Sequence, residues 1–189
     1  MSKELEVSFK TMLSKSEYTR LAKEFADKPA NLQTNYYFDT PRFTLKASEI
    51  VLRVRKRERY ELTLRRKKGY NKIELTNIIS EEEFKHFVET GEIPSAEIKN
   101  EISDIIKDQT LCNYMSLETY RIFFPYKHGT LAIDKCSYVN KTDYELEFEG
   151  TSYEQTKREF VETVKDFNVT YKKGDTKIKR AYEALKKLY

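Results

Sequence analysis

Acidic side chains alternate near both ends of this sequence, and basic side chains alternate between them. Glutamates recur in ELEVSFK (residues 4–10) and YELEFEG (residues 144–150), and arginines recur in LRVRKR (residues 52–57). Side chains two residues apart lie on one face of a β-strand, so each segment would present charges of one sign. Carboxylates suit hard divalent cations, and arginine forks match phosphate oxygens. If these charges line one enclosed interior, they would suit a polyphosphate together with a divalent metal ion.

The alternate positions of the same strands are apolar. They comprise Leu5, Val7, Phe9, Tyr36, Phe38, Leu52, Val54, Leu62, Leu64, Ile73, Leu75, Ile122, Phe124, Leu131, Ile133, Leu146 and Phe148. In an antiparallel sheet the polar face is usually solvated. If helices cover the apolar face, however, the charged face would line the inside of a closed barrel, where unpaired charges are costly.

About eight strands and five helices would position these side chains. Alternation predicts strands in ELEVSFK, NYYFDT, EIVLRVRKR, YELTLRRKK, NKIELTN, LETYRIFFPY, GTLAIDKCSYV and TDYELEFEG. Links as short as ERY (residues 58–60) and KHG (residues 127–129) suit antiparallel pairs. So many antiparallel strands predict a barrel or a sandwich.

Capping signals predict where helices begin and end. Ser14 with Glu17 and Ser80 with Glu83 have the spacing of capping boxes, and Gly91 is placed to end the second helix. The five helices are predicted over residues 14–27, 80–91, 95–108, 151–167 and 174–188. The fold class is therefore α+β.

Length and composition limit the class of protein. A chain of 189 residues with 39% hydrophobic residues predicts a single domain over 1–189. The 35 basic and 31 acidic residues nearly balance, which argues against a nucleic-acid binder that relies on bulk charge. Two cysteines and two histidines lack zinc-site spacing, and no apolar run approaches the ~18 residues of a membrane span. We predict a cytoplasmic protein that binds neither membranes nor nucleic acid, in an oligomeric state that the sequence leaves open.

Seven short motifs, in order, resemble the CYTH superfamily, also called triphosphate tunnel metalloenzymes. The motifs are ELEVSFK, YYFDTP, LRVR, ELTLR, ETYR, YELEFE and TKIKR, and together they span nearly the whole chain. They are most similar to the small bacterial members labelled as adenylate cyclases. The resemblance implies an eight-stranded antiparallel closed barrel, with a charged interior and helices packed outside. It also implies an enzyme that acts on a small-molecule triphosphate.

The N-terminal family signature, E-x-E-x-K, matches this chain in two registers. Aligned on Lys10, its positions are Glu6, Ser8 and Lys10, so that serine replaces the second glutamate. Aligned on ELE, it takes Glu4 and Glu6 and places Ser8 where the lysine belongs. We favour the lysine register because the following residues then fit without a gap. Ser8 would weaken the metal site in that register, and Glu4 could substitute in part.

The resemblance implies a role for most of the charged residues. The cofactor would be Mg2+ or Mn2+, with candidate ligands Glu6, Glu145, Glu147, Glu4 and Asp134. The candidate substrate-binding residues are Lys10, Arg53, Arg55, Arg65, Arg121, Lys177 and Arg180. The residues expected to act in catalysis are Lys10, Glu6 and Glu147. A solvated row of glutamates and a salt-bridge network remain the simpler interpretations, and Asp39 is expected only to cap a turn.

The predicted reaction is metal-dependent hydrolysis of inorganic triphosphate or of a nucleoside or other organic triphosphate. Phosphoryl transfer to water needs positioning and charge neutralisation and no covalent nucleophile. One alternative is an adenylate cyclase that converts ATP to cyclic AMP and pyrophosphate, which would need an adenine site that no motif marks. A second alternative is a non-catalytic polyphosphate or nucleotide-binding protein, which Ser8 favours. A structural or interaction domain is the third.

Overall fold

The computed structural model of the protein describes residues 7–68 and 71–188, excluding the side chains of residues 67, 68, 71 and 72. In this part of the chain the strands are β1 (Val7–Leu13), β2 (Ala30–Asp39), β3 (Ile50–Lys56), β4 (Tyr60–Lys68), β5 (Asn71–Ile79), β6 (Cys112–Tyr126), β7 (Gly129–Tyr138) and β8 (Lys141–Gly150). The helices are α1 (Lys15–Glu24), α2 (Thr44–Ala47), α3 (Glu81–Thr90), α4 (Ala96–Ile106), α5 (Tyr153–Asp166) and α6 (Lys177–Lys186). None of the described helices is long and apolar enough to cross a membrane.

The eight strands form one sheet in the order β1-β8-β7-β6-β2-β3-β4-β5. Every pairing with a described register is antiparallel. The predicted α+β class and antiparallel strands are therefore confirmed. The predicted closure of the barrel is corrected, because β1 and β5 end the order and no pairing joins them within residues 7–68 and 71–188. Closure depends on strand tilt and stagger across a whole sheet, and alternation along single strands carries no information about either.

The chain forms two compact units. The first comprises Met1–Leu32 and Glu118–Tyr189, and the second comprises Gln33–Leu117. The prediction that residues 1–189 make a single domain stays a prediction.

In the first unit, helices cover the apolar face of the strands. Leu131, Ile133 and Phe148 of the sheet are buried against Leu21 of α1 and Phe160 of α5. Because side chains alternate across a strand, this packing leaves the residues of β7 and β8 at the intervening positions on the opposite face. That face carries Asp134, Glu145 and Glu147.

The second unit repeats this arrangement with different helices. Leu52 and Val54 of β3 are fully or almost fully buried in a cluster with Phe87 of α3 and Ile98 of α4. Arg53 and Arg55 lie at the intervening positions of β3 and are partly exposed. The sequence-based assignment of apolar and polar faces is thus confirmed in both units.

The predicted caps hold the helices as expected. Ser14 with Glu17 and Ser80 with Glu83 form complete capping boxes, and Gly91 ends α3 in the left-handed conformation at φ 76°. A Cβ atom at Gly91 would lie 2.4 Å from the carbonyl oxygen of Leu111, so that both backbone conformation and space favour glycine there.

The short helix α2 is absent from the sequence-based prediction. The carboxylate of Asp39 accepts hydrogen bonds from the backbone N–H groups of Leu45 and Lys46, both at 2.9 Å, and of Thr40 at 2.7 Å. The prediction that Asp39 caps the following turn is therefore confirmed. Four helical residues are too few to show a helical period, which is why the helix was missed.

Candidate functional site

Three carboxylates meet on the polar face of the first unit because of the register between β7 and β8. Asp134 pairs with Glu145, and Ala132 pairs with Glu147. One oxygen from each of Asp134, Glu145 and Glu147 lies within 4.8 Å of the others, and we call these three residues the carboxylate trio. The side chains of Asp134 and Glu145 are 0% exposed and that of Glu147 is 12% exposed. Like charges directly opposite each other destabilise a sheet, so the trio requires cations.

Arg121 of β6 is the first of these cations. Its Nε donates to Oδ1 of Asp134 and one terminal nitrogen donates to Oδ2, both at 2.8 Å. The same nitrogen donates to Oε2 of Glu147 at 2.7 Å, and the other lies 3.6 Å from Oε1 of Glu149. Burial alone would lower the pKa of Arg121, but its hydrogen bonds and the surrounding carboxylates raise it overall. Arg121 therefore stays charged in this structure.

Helix α6 supplies the second cation, Lys177. Its ammonium nitrogen lies 2.8 Å from Oδ2 of Asp134 and 3.7 Å from Oε2 of Glu147, and it forms an ion pair with Oε1 of Glu145. Burial alone would lower the pKa of Lys177, but the three acids raise it overall. Lys177 thus contacts one oxygen of every member of the carboxylate trio.

Helix α6 also supplies Arg180, which fixes the helix to β8. Its Nε and one terminal nitrogen donate to the carboxylate of Asp143 at 2.8 and 3.0 Å, and the same terminal nitrogen donates to Oε2 of Glu145 at 2.8 Å. The structure shows Arg180 only 12% exposed at the carboxylates.

Ion pairs join the acidic and basic side chains of this cluster. In the described part of the chain, Asp134, Asp143, Glu145, Glu147 and Glu149 form ion pairs with Arg121, Lys177 and Arg180. Burial raises the pKa of Glu145, but the charges of Lys177, Lys10 and Arg180 outweigh it and hold that pKa below its ordinary value. Hard carboxylate oxygens at close spacing fit a divalent cation such as Mg2+ or Mn2+.

The N-terminal signature lies only partly within the described residues. Lys10 pairs with Glu147 across β1 and β8, so the two share a face, and Ser8 pairs with Glu149. The structure therefore places Lys10 beside the carboxylate trio. Glu4 and Glu6 lie outside the described residues.

The second unit holds a row of arginines, with Arg53 and Arg55 on β3 and Arg57 just after it. Nε of Arg55 donates to the buried Asn35 at 3.1 Å, and Nε of Arg57 donates to the buried Gln33 at 3.0 Å. Burial, reinforced by the charges of Arg53 and Arg57, lowers the pKa of Arg55 to about 10. Burial is also the main cause of the lowered pKa of Arg53. Partly buried arginines whose pKa values are lowered mainly by burial would be stabilised by an anion.

Arg65 differs from the other predicted substrate-binding residues of this unit. It lies on β4, its side chain is 53% exposed, and it pairs with Glu74 at 3.0 Å. Arg65 pairs with Val51 of β3, and Val51 lies on the same face of that strand as Arg53. Arg65 and Arg53 therefore share a face of the sheet.

Sequence reasoning missed several residues that position the predicted ones. Asp143 holds Arg180, while Gln33 and Asn35 hold Arg57 and Arg55. Asp143 has the same two-residue spacing as Glu145 and Glu147, so the alternation could have revealed it. Gln33 and Asn35 lie outside any charged pattern, and only the pairing of β2 with β3 shows their role.

Comparisons with known proteins identify the class of protein. The CYTH domain family model matches residues 4–182. The chain is 31% identical to the Bacillus subtilis protein "Putative triphosphatase YjbK", over 99% of both chains. The structure is similar to that of a "putative adenylate cyclase" from Bacillus halodurans, with a TM-score of 0.78, 33% identity and coverage of 95% of this chain and 98% of that one.

A second similar structure has lower sequence identity and shows the fold alone. It is that of a "putative adenylyl cyclase" from Hippeastrum with a dominant triphosphatase activity, with a TM-score of 0.76, 19% identity and coverage of 95% of this chain and 96% of that one. The chain therefore belongs to the CYTH domain family, as the sequence motifs predicted. The role of each predicted site residue stays a prediction.

Proposed function

We propose that this protein is a metal-dependent triphosphatase that hydrolyses inorganic triphosphate or a nucleoside or other organic triphosphate. The observation that carries the proposal is the carboxylate trio in direct contact with Arg121 and Lys177. Such a cluster offers oxygen ligands to a divalent cation and basic groups to phosphate within one unit. The B. subtilis relative is named as a triphosphatase, which supports the same activity here.

Asp134, Glu145 and Glu147 would hold the cation, either Mg2+ or Mn2+. When bound, the metal neutralises phosphate charge and helps to orient water. Glu6 and Glu4, which lie outside the described residues, remain further candidate ligands. Ser8 offers only a neutral oxygen in this strand, so the first strand would contribute less to metal affinity than two glutamates would.

The basic residues would bind the phosphate oxygens. In the first unit these are Lys10, Arg121, Lys177 and Arg180, and in the second unit Arg53, Arg55 and Arg65. Fixed cations that meet phosphate charge stabilise the transition state of phosphoryl transfer without a covalent intermediate. Water is then the acceptor of the phosphoryl group.

A substrate panel tests the proposed activity. Phosphate release should be measured with tripolyphosphate, ATP, GTP and thiamine triphosphate, each with Mg2+ and with Mn2+, and with pyrophosphate as the control that lacks a third phosphate. We expect metal-dependent phosphate release from at least one triphosphate. Cyclic AMP from ATP would instead establish the cyclase alternative, which the B. halodurans relative favours. Binding without turnover would establish the non-catalytic alternative.

The arginine row gives a prediction for affinity. Arg55→Ala should weaken tripolyphosphate binding roughly 10- to 100-fold, because a hydrogen bond to a charged group contributes about 1.5–3 kcal/mol. Isothermal titration calorimetry would measure the change. Arg59→Ala is the matched control, since it removes the same charge from a side chain that is 66% exposed and paired with Glu61. Equal affinities for wild type and Arg55→Ala would contradict the assignment.

A further inference from the structure

The position of Lys177 among the carboxylates leads to an inference about metal binding. Its ammonium group contacts Oδ2 of Asp134, Oε1 of Glu145 and Oε2 of Glu147, which are one oxygen from each member of the carboxylate trio. A divalent cation held by the trio would take one oxygen from each residue. The ammonium group therefore lies where that cation would lie.

We propose that Lys177 acts as an internal cation that occupies the metal position and that a divalent metal must displace before it can bind. An ammonium group and a divalent ion cannot bind the same three oxygens together. The two cations would repel each other, and both would occupy the same space beside the carboxylates. The carboxylate trio is thus always paired with a cation at this position, either the ammonium group of Lys177 or the metal ion. Metal affinity is then set by competition with Lys177 as well as by the ligands.

Contacts of other residues hold α6 in place, so the side chain of Lys177 can move away from the carboxylates while the helix stays in position. Arg180 holds α6 to Asp143 and Glu145, and Ala181 and Ala184 are buried. Lys177 is the first residue of the helix, next to the N-cap Thr176, and its side chain is a flexible four-carbon stem. Displacement therefore needs only a new side-chain conformation.

Displacement would also make Lys177 available to an anion. While it is paired with the trio, its ammonium group is neutralised and cannot bind phosphate fully. Once a metal replaces it, the freed group stays within one side-chain length of the bound ion. If the proposed triphosphatase activity holds, the metal would bind before the triphosphate, and Lys177 would then contact the substrate.

Mn2+ binding without any phosphate compound tests the competition directly. Isothermal titration calorimetry should compare wild type, Lys177→Met and Lys179→Met. Methionine keeps an unbranched side chain and removes the charge, and Lys179, which pairs only with Asp175 among the described contacts, is the control on the same helix. We expect Lys177→Met to bind Mn2+ about tenfold or more tightly than wild type, because it no longer has to break ion pairs. Lys179→Met should bind as wild type does.

Equal or weaker Mn2+ binding by Lys177→Met, or no binding by any of the three proteins, would overturn the proposal. Because the test contains no triphosphate, it separates this proposal from the proposed function. If Lys177→Met binds Mn2+ more tightly but the wild-type protein hydrolyses no triphosphate, the competition is supported and the proposed triphosphatase activity is rejected. If the wild-type protein hydrolyses a triphosphate but Lys177→Met binds Mn2+ with unchanged affinity, the activity is supported and the competition is rejected.

A second measurement on the wild-type protein covers the case in which Lys177→Met does not fold. An amine-reactive reagent followed by mass spectrometry would give the labelling rate of each lysine with and without Mg2+. We expect Mg2+ to raise the rate at Lys177 several-fold and to leave Lys179 unchanged. The same rate at Lys177 in both conditions would contradict displacement.

Discussion

Arg121→Met should lower the free energy of unfolding by about 3–5 kcal/mol, the usual cost of removing one partner from a buried ion pair. Arg121 donates to Asp134 and Glu147, whose side chains are 0% and 12% exposed. Without it, Lys177 would have to offset more of the charge of Asp134 and Glu147. Urea denaturation followed by circular dichroism would measure the loss.

The control for this variant is Arg158→Met in the same unit. Arg158 is 70% exposed and lies 4.0 Å from Glu162 one helical turn away, so its removal should cost at most about 1 kcal/mol. Adding Asp134→Asn to Arg121→Met should recover part of the lost stability, because it removes the negative charge that Arg121 no longer neutralises. If Arg121→Met costs no more than Arg158→Met, the charged cluster does not depend on Arg121.

Removing the metal from the proposed triphosphatase reaction should have the largest effect on activity. Chelation by EDTA should lower the rate of phosphate release at least about a hundredfold, because a bound metal contributes several kcal/mol of charge stabilisation and each 1.36 kcal/mol is tenfold in rate. Restoring Mg2+ or Mn2+ should restore the activity of the wild-type protein. Full activity in EDTA would show that hydrolysis here does not need a divalent metal.

A metal titration of the activity of Glu147→Gln tests whether the carboxylate trio binds the metal. Glutamine keeps the size of the side chain but removes its charge, so this variant should need a higher metal concentration for half-maximal activity. Glu162→Gln is the matched control, because Glu162 is 49% exposed and pairs with Lys127. If the two variants have the same metal dependence, the ligands are elsewhere.

Local features were predictable because they depend on neighbouring residues. The capping boxes at Ser14 and Ser80, the left-handed Gly91 and the turn cap at Asp39 each involve hydrogen bonds or backbone angles within a few positions. The faces of the strands were predictable for the same reason, since alternation has a period of two. The first five residues of β2 and of β6 were missed because tertiary pairing extends these strands beyond the predicted segments.

The sequence by itself determined which side chains share a face and what chemistry they offer, namely carboxylates on β8 and arginines on β3. Only the tertiary structure decided which charges meet. The β7–β8 register sets Asp134 opposite Glu145, and the docking of α6 brings Lys177 to both, although these residues are far apart in the chain. Alternation fixes the direction of a side chain but not its cross-strand neighbour. Register and helix docking are set by the packing of the whole unit, and so the contact between Lys177 and the carboxylates could be found only in the folded structure.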